Sequence, residues 1–135
     1  MNSGLYYIIL KRPAFGFSIG KIIYIGKGVD VDKRVAQELG RRAGPATFFR
    51  SIGVLLGKTV IPGSGKNFRF YEREEIADWL EDHVNVRVVY GKTERENELI
   101  RKHRPPINYT YNAKYYYPGL LQLRKKAKEV GLNKA

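Results

Sequence analysis

The sequence predicts an α/β domain in which a three-stranded antiparallel sheet is flanked by helices. Two segments near the N-terminus, residues 5–10 and 21–25, are rich in β-branched and aromatic side chains, and the glycines and proline between them favour a hairpin. A third such segment, residues 86–90, lies between stretches whose apolar residues repeat at helical spacing. A length of 135 residues with 43% hydrophobic residues is typical of one globular domain.

The N-terminal part of the chain predicts two strands and one helix. The first strand is apolar on both alternating faces, so we expect it to be covered on both sides. The second strand ends at Gly26, and Asp30 or Asp32 is in position to cap the helix that follows. The apolar residues of this helix stand at i, i+4 and i+8: Val31, Val35 and Leu39.

The rest of the chain predicts four more helices and the third strand. Thr47 is expected to cap a helix that runs to Gly57, and residues 61–66 are expected to form a flexible loop. A helix over residues 72–82 precedes the third strand. A further helix begins at Thr93 and ends before two consecutive prolines, and the segment from residue 118 has helical spacing.

The charge of the chain points to an anionic partner. Lys and Arg number 25 against 13 Asp and Glu, which gives a net charge of +12. A domain this basic most often binds nucleic acid, although anionic lipid surfaces and acidic proteins attract the same charge. Charge alone therefore ranks nucleic acid first without excluding the others.

Cysteine is absent and only two histidines are present, so neither a disulfide framework nor a Cys/His zinc site can form. Any metal ion must be held mainly by oxygen. The longest apolar run, residues 5–10, falls far short of the roughly 18 residues of a membrane span, and no charged segment of a secretory signal precedes it. We therefore expect a cytoplasmic protein without a membrane span.

Two helices carry charged residues along their apolar face. Arg34 and Glu38 lie i+3 from Val31 and Val35, whereas Lys33 points away from that stripe. This pair is either an ordinary (i, i+4) salt bridge or includes an inward-facing cation.

A carboxylate has the same placement on the helix that begins at Thr93. Glu96 shares a face with Leu99 and Ile100, unlike Glu94 and Glu98. Burying a carboxylate is costly unless it meets a cation or a metal ion, so Glu96 is the best candidate for a metal ligand. Partial exposure or pairing with an arginine is the alternative.

An ordered set of motifs connects these residues. Its members are Gly4-Leu5-Tyr6, Tyr24-Ile25-Gly26, Arg34, Glu96 and Pro105-Pro106-Ile107-Asn108. In order and register the set resembles the GIY-YIG nuclease domain, and residues 24–34 are similar to that family's YIG-K-x-x-D-hydrophobic-x-x-R pattern. The resemblance spans roughly residues 4–108 and is weakest over residues 43–85.

The resemblance implies a small α/β domain that cuts DNA phosphodiesters with one divalent ion, Mg²⁺ or Mn²⁺. It also implies a role for each motif residue. Glu96 would bind the metal, Arg34 would lie near the scissile phosphate, Tyr6 and Tyr24 would flank the attacking water, and Lys27 and Asn108 would complete the site. Strand packing for the tyrosines and a turn role for Asn108 are the structural alternatives.

Tyr6 could act in two ways. As a base it would need activation by a cation such as Lys27, because a free phenol has a pKa of about 10. Otherwise it orients the water.

One position departs from the family pattern. Where many members have Tyr or His one turn beyond the helix arginine, this chain has Glu38. Glu38 could orient Arg34, act as a base or shift metal binding, and His103, Tyr7 or Arg42 could fill the missing role instead.

Basic clusters outside the motifs predict the nucleic-acid surface. Two of them flank a run of tyrosines at positions 109, 111, 115, 116 and 117, which either stack on exposed bases or pack the C-terminal helix onto the domain. Stacking would suit branched or single-stranded DNA. The residues predicted to bind nucleic acid are Arg41, Arg101, Lys102, Arg104, Arg124, Lys125, Lys126 and Lys128.

We divide the chain into a nuclease-like domain over residues 1–110 and a basic, tyrosine-rich helical extension over residues 111–135 that packs on it. Two functions are open at this point. The chain is a metal-dependent DNA endonuclease, or it is a catalytically silent nucleic-acid-binding module that retains the fold.

Overall fold

The computed structural model describes residues 2–133 and contains one antiparallel sheet. Its strands are β1 (Gly4–Leu10), β2 (Ile22–Gly28) and β3 (Val84–Tyr90), in the order β2-β1-β3. The central strand therefore pairs on both edges, and Tyr6 lies opposite Gly26 on one side and Val88 on the other. The predicted sheet is confirmed.

Five α-helices surround the sheet in the described part of the chain: α1 (Val31–Glu38), α2 (Thr47–Leu55), α3 (Arg73–His83), α4 (Glu96–His103) and α5 (Leu120–Leu132). Asp30 caps α1 by accepting from the Lys33 N–H. Thr47 and Thr93 do not cap as predicted, because Thr47 is the first residue of α2 and Thr93 begins a 3₁₀ turn before α4. Among residues 2–133, no helix has the length and apolar character of a membrane span.

The two faces of β1 serve two separate cores. Tyr6, Ile8 and Leu10 point into the larger core, which also contains buried residues of α1, α2, α3 and α5. Leu5 points to the opposite face, where it packs with Ile25 and the α4 residues Leu99 and Ile100. Because side chains alternate along a strand, neighbouring residues of β1 and β2 belong to different cores.

The segment between α2 and α3 lacks regular structure, as predicted, but its two ends pair with each other and its middle is bonded to α5. Val60 and Phe70 form an isolated β-bridge. The Gly65 N–H donates to the carbonyl of Gly131 on α5 at 2.8 Å. A Cβ at Gly131 would collide with the Gly65 backbone, so glycine permits this close approach.

The C-terminal helix is part of the same globule. α5 packs on α2 and contributes Leu120 and Ala127 to the larger core. Tyr117 also packs against that core, and its N–H donates to the carbonyl of Pro106 at 2.8 Å. The division of the chain at residue 110 stays a prediction.

Candidate active site

A hydrogen-bonded pair, Tyr6 and Glu38, lies at the inner end of the site. The Tyr6 side chain is only 1% exposed, and its hydroxyl donates to Glu38 Oε2 at 2.6 Å. Glu38 is the last residue of α1 and is fully buried. Its Oε1 accepts from the Phe48 N–H at 3.2 Å, so this carboxylate satisfies a donor in the first turn of α2, which has no side-chain cap.

These contacts correct two expectations. Within the described residues Arg34 and Glu38 form no salt bridge, because the carboxylate is turned into the core. Glu38 is also too deeply buried to act as a base on a bound nucleic acid. Its role in this structure is to position Tyr6 and α2.

Gly26 explains the close packing of the two tyrosine-bearing strands. It lies directly across from Tyr6 in the β1–β2 pair. A Cβ at this position would overlap the Tyr6 ring and hydroxyl. The glycine of Tyr24-Ile25-Gly26 is therefore required by the shape of the site rather than by backbone conformation.

Tyr24 is the outer phenol of the site. Its ring centroid lies 6.2 Å from that of Tyr6 and 5.3 Å from that of Phe48, and its side chain is half-buried. Burial, and then the charge of Glu38, raise the pKa of both tyrosines. Both phenols are therefore protonated at neutral pH, which suits them to orienting a water rather than taking its proton.

Arg34 is the cation nearest this tyrosine pair on α1. Its Nη1 donates to the Pro45 carbonyl at 3.2 Å. Burial lowers the pKa of Arg34, but Glu38 and Tyr6 more than offset this effect, and the pKa is raised overall. The guanidinium is therefore firmly charged and held in place at the edge of the core.

An open cleft extends outward from Arg34 along β2 and α1. Three cationic side chains line it, those of Lys27, Lys33 and Arg34, and Asp30 is the one carboxylate among the described lining residues. Lys33 was not selected from the sequence because it points away from the apolar stripe of α1. That outward direction is what places it in the cleft, which favours an anionic substrate.

Glu96 faces inward, as its spacing predicted. Its side chain is 18% exposed, whereas Glu94 and Glu98 are exposed. Lys27 Nζ lies 4.0 Å from Glu96 Oε1. Burial raises the pKa of Glu96, and Lys27 opposes this only in part. A half-buried carboxylate whose one cationic neighbour is this distant can bind a second cation.

The donor set restricts which metal ion fits. Residues 2–133 contain no cluster of three or more His, Cys, Asp or Glu side chains that could enclose an ion. Glu96 would thus be the one carboxylate ligand. This arrangement fits Mg²⁺, which commonly keeps several waters and takes its remaining oxygens from a phosphate substrate.

The structure revises the role expected for Asn108. Its Oδ1 accepts from the Ile25 N–H and its Nδ2 donates to the Ile25 carbonyl, both at 2.9 Å. The buried amide therefore pairs with the free edge of β2, between Tyr24 and Gly26. Asn108 holds the tyrosine strand in place, and its amide is not directed at a substrate.

The residues considered as replacements for a family Tyr or His lie elsewhere. The Tyr7 and His103 rings meet edge to face at 6.3 Å on the α4 side of the sheet, opposite Tyr6 and Tyr24. Arg42 is exposed, and its carbonyl accepts from Arg73 Nη2. Tyr7 and His103 are separated from the Tyr6–Glu38 pair by the sheet, because side chains alternate along a strand, and the Arg42 side chain is turned to solvent.

A protein-family comparison decides the identity of the domain. Residues 15–127 match the model of the GIY-YIG catalytic domain. The chain belongs to the GIY-YIG family. Comparisons with curated proteins and with solved structures gave no match. The matched region begins after β1, so the place of Tyr6 in this GIY-YIG site rests on its geometry.

Outside the cleft of this GIY-YIG domain, the predicted basic residues have different environments. Arg41 is paired with Glu81 at 3.0 Å. Arg101 lies over the Tyr111 ring at 5.2 Å, and Arg104 lies over the Tyr115 ring at 4.4 Å. The predicted lysines are all exposed: Lys102, Lys125, Lys126 and Lys128.

The tyrosine run of this GIY-YIG domain divides between packing and exposure. Tyr116 and Tyr117 pack against the larger core, whereas Tyr109, Tyr111 and Tyr115 are between 41% and 47% exposed. The packing interpretation therefore holds for Tyr116 and Tyr117, and base stacking by the three exposed tyrosines stays a prediction.

Sequence patterns also missed Arg50. Arg50 lies on α2 between Phe49 and Ser51, away from the apolar stripe of that helix, so no sequence pattern marked it as a site residue. Its neighbour Arg124 was predicted as a nucleic-acid contact, but the structure also gives it a packing role. Arg124 Nη1 donates to the Thr47 carbonyl at 2.9 Å and to Ser51 Oγ at 2.8 Å, which joins α5 to α2.

Proposed function

We propose that the protein is a divalent-metal-dependent DNA endonuclease that hydrolyses phosphodiester bonds. One observation supports this most directly. Lys27, which lines the cationic cleft together with Arg34, lies 4.0 Å from the inward carboxylate of Glu96, and the protonated phenol of Tyr24 is within electrostatic reach of Arg34 and Glu96. Family membership supports nuclease activity in general, and the cleft supplies groups for each need of the reaction.

Each residue at the cleft has its own role in the proposed hydrolysis. Arg34 can hold two non-bridging phosphate oxygens with its planar fork and neutralise charge that builds on them. Tyr24 can orient a water molecule, and the buried ring of Tyr6 packs against Tyr24 and holds it in position. Lys27 and Lys33 add positive charge along the path of the strand.

Glu96 would hold the metal ion, Mg²⁺ or Mn²⁺, at the edge of the cleft next to Lys27. When bound, such an ion supplies Lewis-acid stabilisation of charge on phosphate and leaving oxygens. Metal binding would also stabilise the ionised form of Glu96, whose pKa is otherwise raised by burial.

The exposed tyrosines favour DNA with accessible bases, such as branched or single-stranded forms. Tyr111 and Tyr115 each carry an arginine over the ring, which combines an aromatic surface with a phosphate-binding charge. Bases stack on such surfaces without regard to sequence.

The test is incubation with plasmid, single-stranded and branched DNA in Mg²⁺, in Mn²⁺ and in EDTA. The proposal expects cleavage in both metals and none in EDTA, lost in Glu96→Gln and kept in the matched control Glu94→Gln. Binding of the same DNA without cleavage under any condition would instead identify a catalytically silent module.

A further inference from the structure

A second cationic pocket lies between α2, α5 and the segment before Phe70. Five basic side chains line it, and no acidic residue does so in the described part of the chain. It shares no lining residue with the Arg34 cleft. Its cations are Arg50, Lys66, Arg124, Lys125 and Lys128.

Two guanidinium groups form the inner wall of this pocket. Arg50 and Arg124 each lie 5.8 Å from the centroid of the Phe68 ring. Arg124 is fixed through Nη1 by the Thr47 carbonyl and Ser51 Oγ, whereas Arg50 Nε is buried without a hydrogen-bond partner. A buried unpaired donor on a cation is unusual and calls for an acceptor.

Among residues 2–133, no carboxylate forms a salt bridge with either arginine of this pair. Burial lowers the pKa of Arg50, and the charge of Arg124 lowers it further. Burial also lowers the pKa of Arg124. Glu38 is within electrostatic reach of both, but its oxygens accept from Tyr6 and from the Phe48 N–H. Two arginine charges held close together and partly buried repel each other, and this indicates that an anion completes the site.

The pocket is also held in shape from its outer side. The bond from the Gly65 N–H to the Gly131 carbonyl ties the segment carrying Lys66 to α5. The α5 residues that line the pocket stand at i, i+3, i+4 and i+7 and so form one stripe, whereas Lys126 does not line it: Leu121, Arg124, Lys125 and Lys128. A preformed cradle of this kind lowers the ordering cost of binding.

We propose that this pocket binds a phosphate group of the nucleic-acid strand, at a position other than the scissile phosphate. The inference rests on the nucleic-acid substrate of the proposed function and deepens it. Arginine pairs match phosphate oxygens in geometry and charge. Arg34 donates to the Pro45 carbonyl and Arg124 to the Thr47 carbonyl two residues further along the chain, so the pocket lies close enough to the cleft for one strand to occupy both.

The experiment measures DNA affinity of the full chain in EDTA, by fluorescence anisotropy of a labelled single-stranded oligonucleotide over a series of salt concentrations. Arg50→Gln and Lys128→Gln are compared with Lys126→Gln, a matched change on the same helix outside the pocket. We expect Arg50→Gln to weaken binding roughly 10- to 100-fold, as for one charge-assisted hydrogen bond. Its salt slope should fall by about 0.7, the value for one phosphate of a single strand.

Two forms of the oligonucleotide separate the sources of the phosphate. If Arg50→Gln weakens only the 5′-phosphorylated form, the pocket takes a terminal phosphate. If it weakens the 5′-hydroxyl form equally, the pocket takes an internal one. Losses in Arg50→Gln and Lys128→Gln no larger than in Lys126→Gln would overturn the proposal, since they would indicate only a diffuse positive field.

A second measurement guards against misfolding of the Arg50 variant. Inorganic phosphate should raise the melting temperature of the unsubstituted chain and of Lys126→Gln, but not that of Arg50→Gln. An equal rise in all three would overturn the pocket as the site. Because these assays contain no metal ion, failure of the chain to cleave DNA leaves their outcome unaffected and bears only on the proposed function.

Discussion

The Tyr6 hydroxyl donates a 2.6 Å hydrogen bond to the Glu38 carboxylate, across 32 residues of sequence and within the core. The other carboxylate oxygen accepts from the Phe48 N–H, so Glu38 joins β1, α1 and α2. Tyr24 packs against both Tyr6 and Phe48. The bond therefore fixes the surroundings of the outer phenol, and Glu38 acts on the site through Tyr6.

Tyr6→Phe should lower the free energy of unfolding by about 1–3 kcal/mol, because it leaves a buried carboxylate oxygen without its donor. Urea denaturation followed by circular dichroism measures the change. Tyr7→Phe, on the opposite face of the same strand, is the matched control and should change little. If Tyr6→Phe and Glu38→Gln proved additive in the double variant, the two residues would not be coupled as their contact requires.

The ionisation of Glu38 should leave a signature in the pH dependence of stability. Burial raises the pKa of Glu38 in the folded chain, although Tyr6 and Arg34 act in the opposite direction. Between the ordinary value of about 4.3 and the raised one, the folded state binds more protons than the unfolded state, so stability falls as pH rises through this window. Urea midpoints measured from pH 4 upward should fall more steeply for the unsubstituted chain than for Glu38→Gln. Parallel curves would contradict the raised pKa.

Glu96→Gln should abolish cleavage while leaving DNA affinity in EDTA unchanged. The melting temperature should stay the same or rise, because the substitution removes a half-buried charge whose pKa is raised by burial. Glu94→Gln and Glu98→Gln are exposed controls on the same turn. Equal loss of cleavage in all three variants would show that the inward direction of Glu96 does not distinguish it as the metal ligand.

Arg34→Lys tests whether geometry or charge alone is required in the cleft. An ammonium group retains the charge but cannot hold two phosphate oxygens with a planar fork, so we expect the single-turnover rate to fall roughly 10- to 1000-fold with little change in affinity. Lys33→Arg, the reverse exchange in the same cleft, is the control. Near-normal cleavage by Arg34→Lys would refute its placement on the scissile phosphate.

Gly26→Ala should cost about 1–3 kcal/mol of stability, because its Cβ would overlap the Tyr6 ring. The same substitution in a Tyr6→Leu background should cost much less, since the ring is then gone. Thermal unfolding of the four chains checks this, and an undiminished cost in the Leu background would assign the effect to the backbone instead.

Local sequence signals predicted the strands and helices and, for several side chains, whether they face the core or solvent. Short runs of β-branched and aromatic residues predicted the three strands, and helical spacing predicted that Glu96 faces inward while Glu94 and Glu98 face solvent. Asp30 caps α1 because capping depends on residues three positions apart. In each case the deciding atoms lie within one turn or one strand.

The same local reasoning failed where distant segments meet. Spacing on α1 favoured a bond between Arg34 and Glu38, but Tyr6 and Phe48 occupy both carboxylate oxygens. The amide of Asn108 pairs with Ile25, which no local pattern could indicate. Such contacts depend on which strands and helices become neighbours.

The sequence by itself thus determined the sheet, the order of the elements, the family motifs and the excess positive charge. Only the tertiary structure decided that Glu38 supports Tyr6, that Asn108 holds β2, and that Arg50 and Arg124 share a pocket. The physical reason is burial. A polar group removed from water must find its partner among the groups that folding brings near, and these come from segments far apart in the chain.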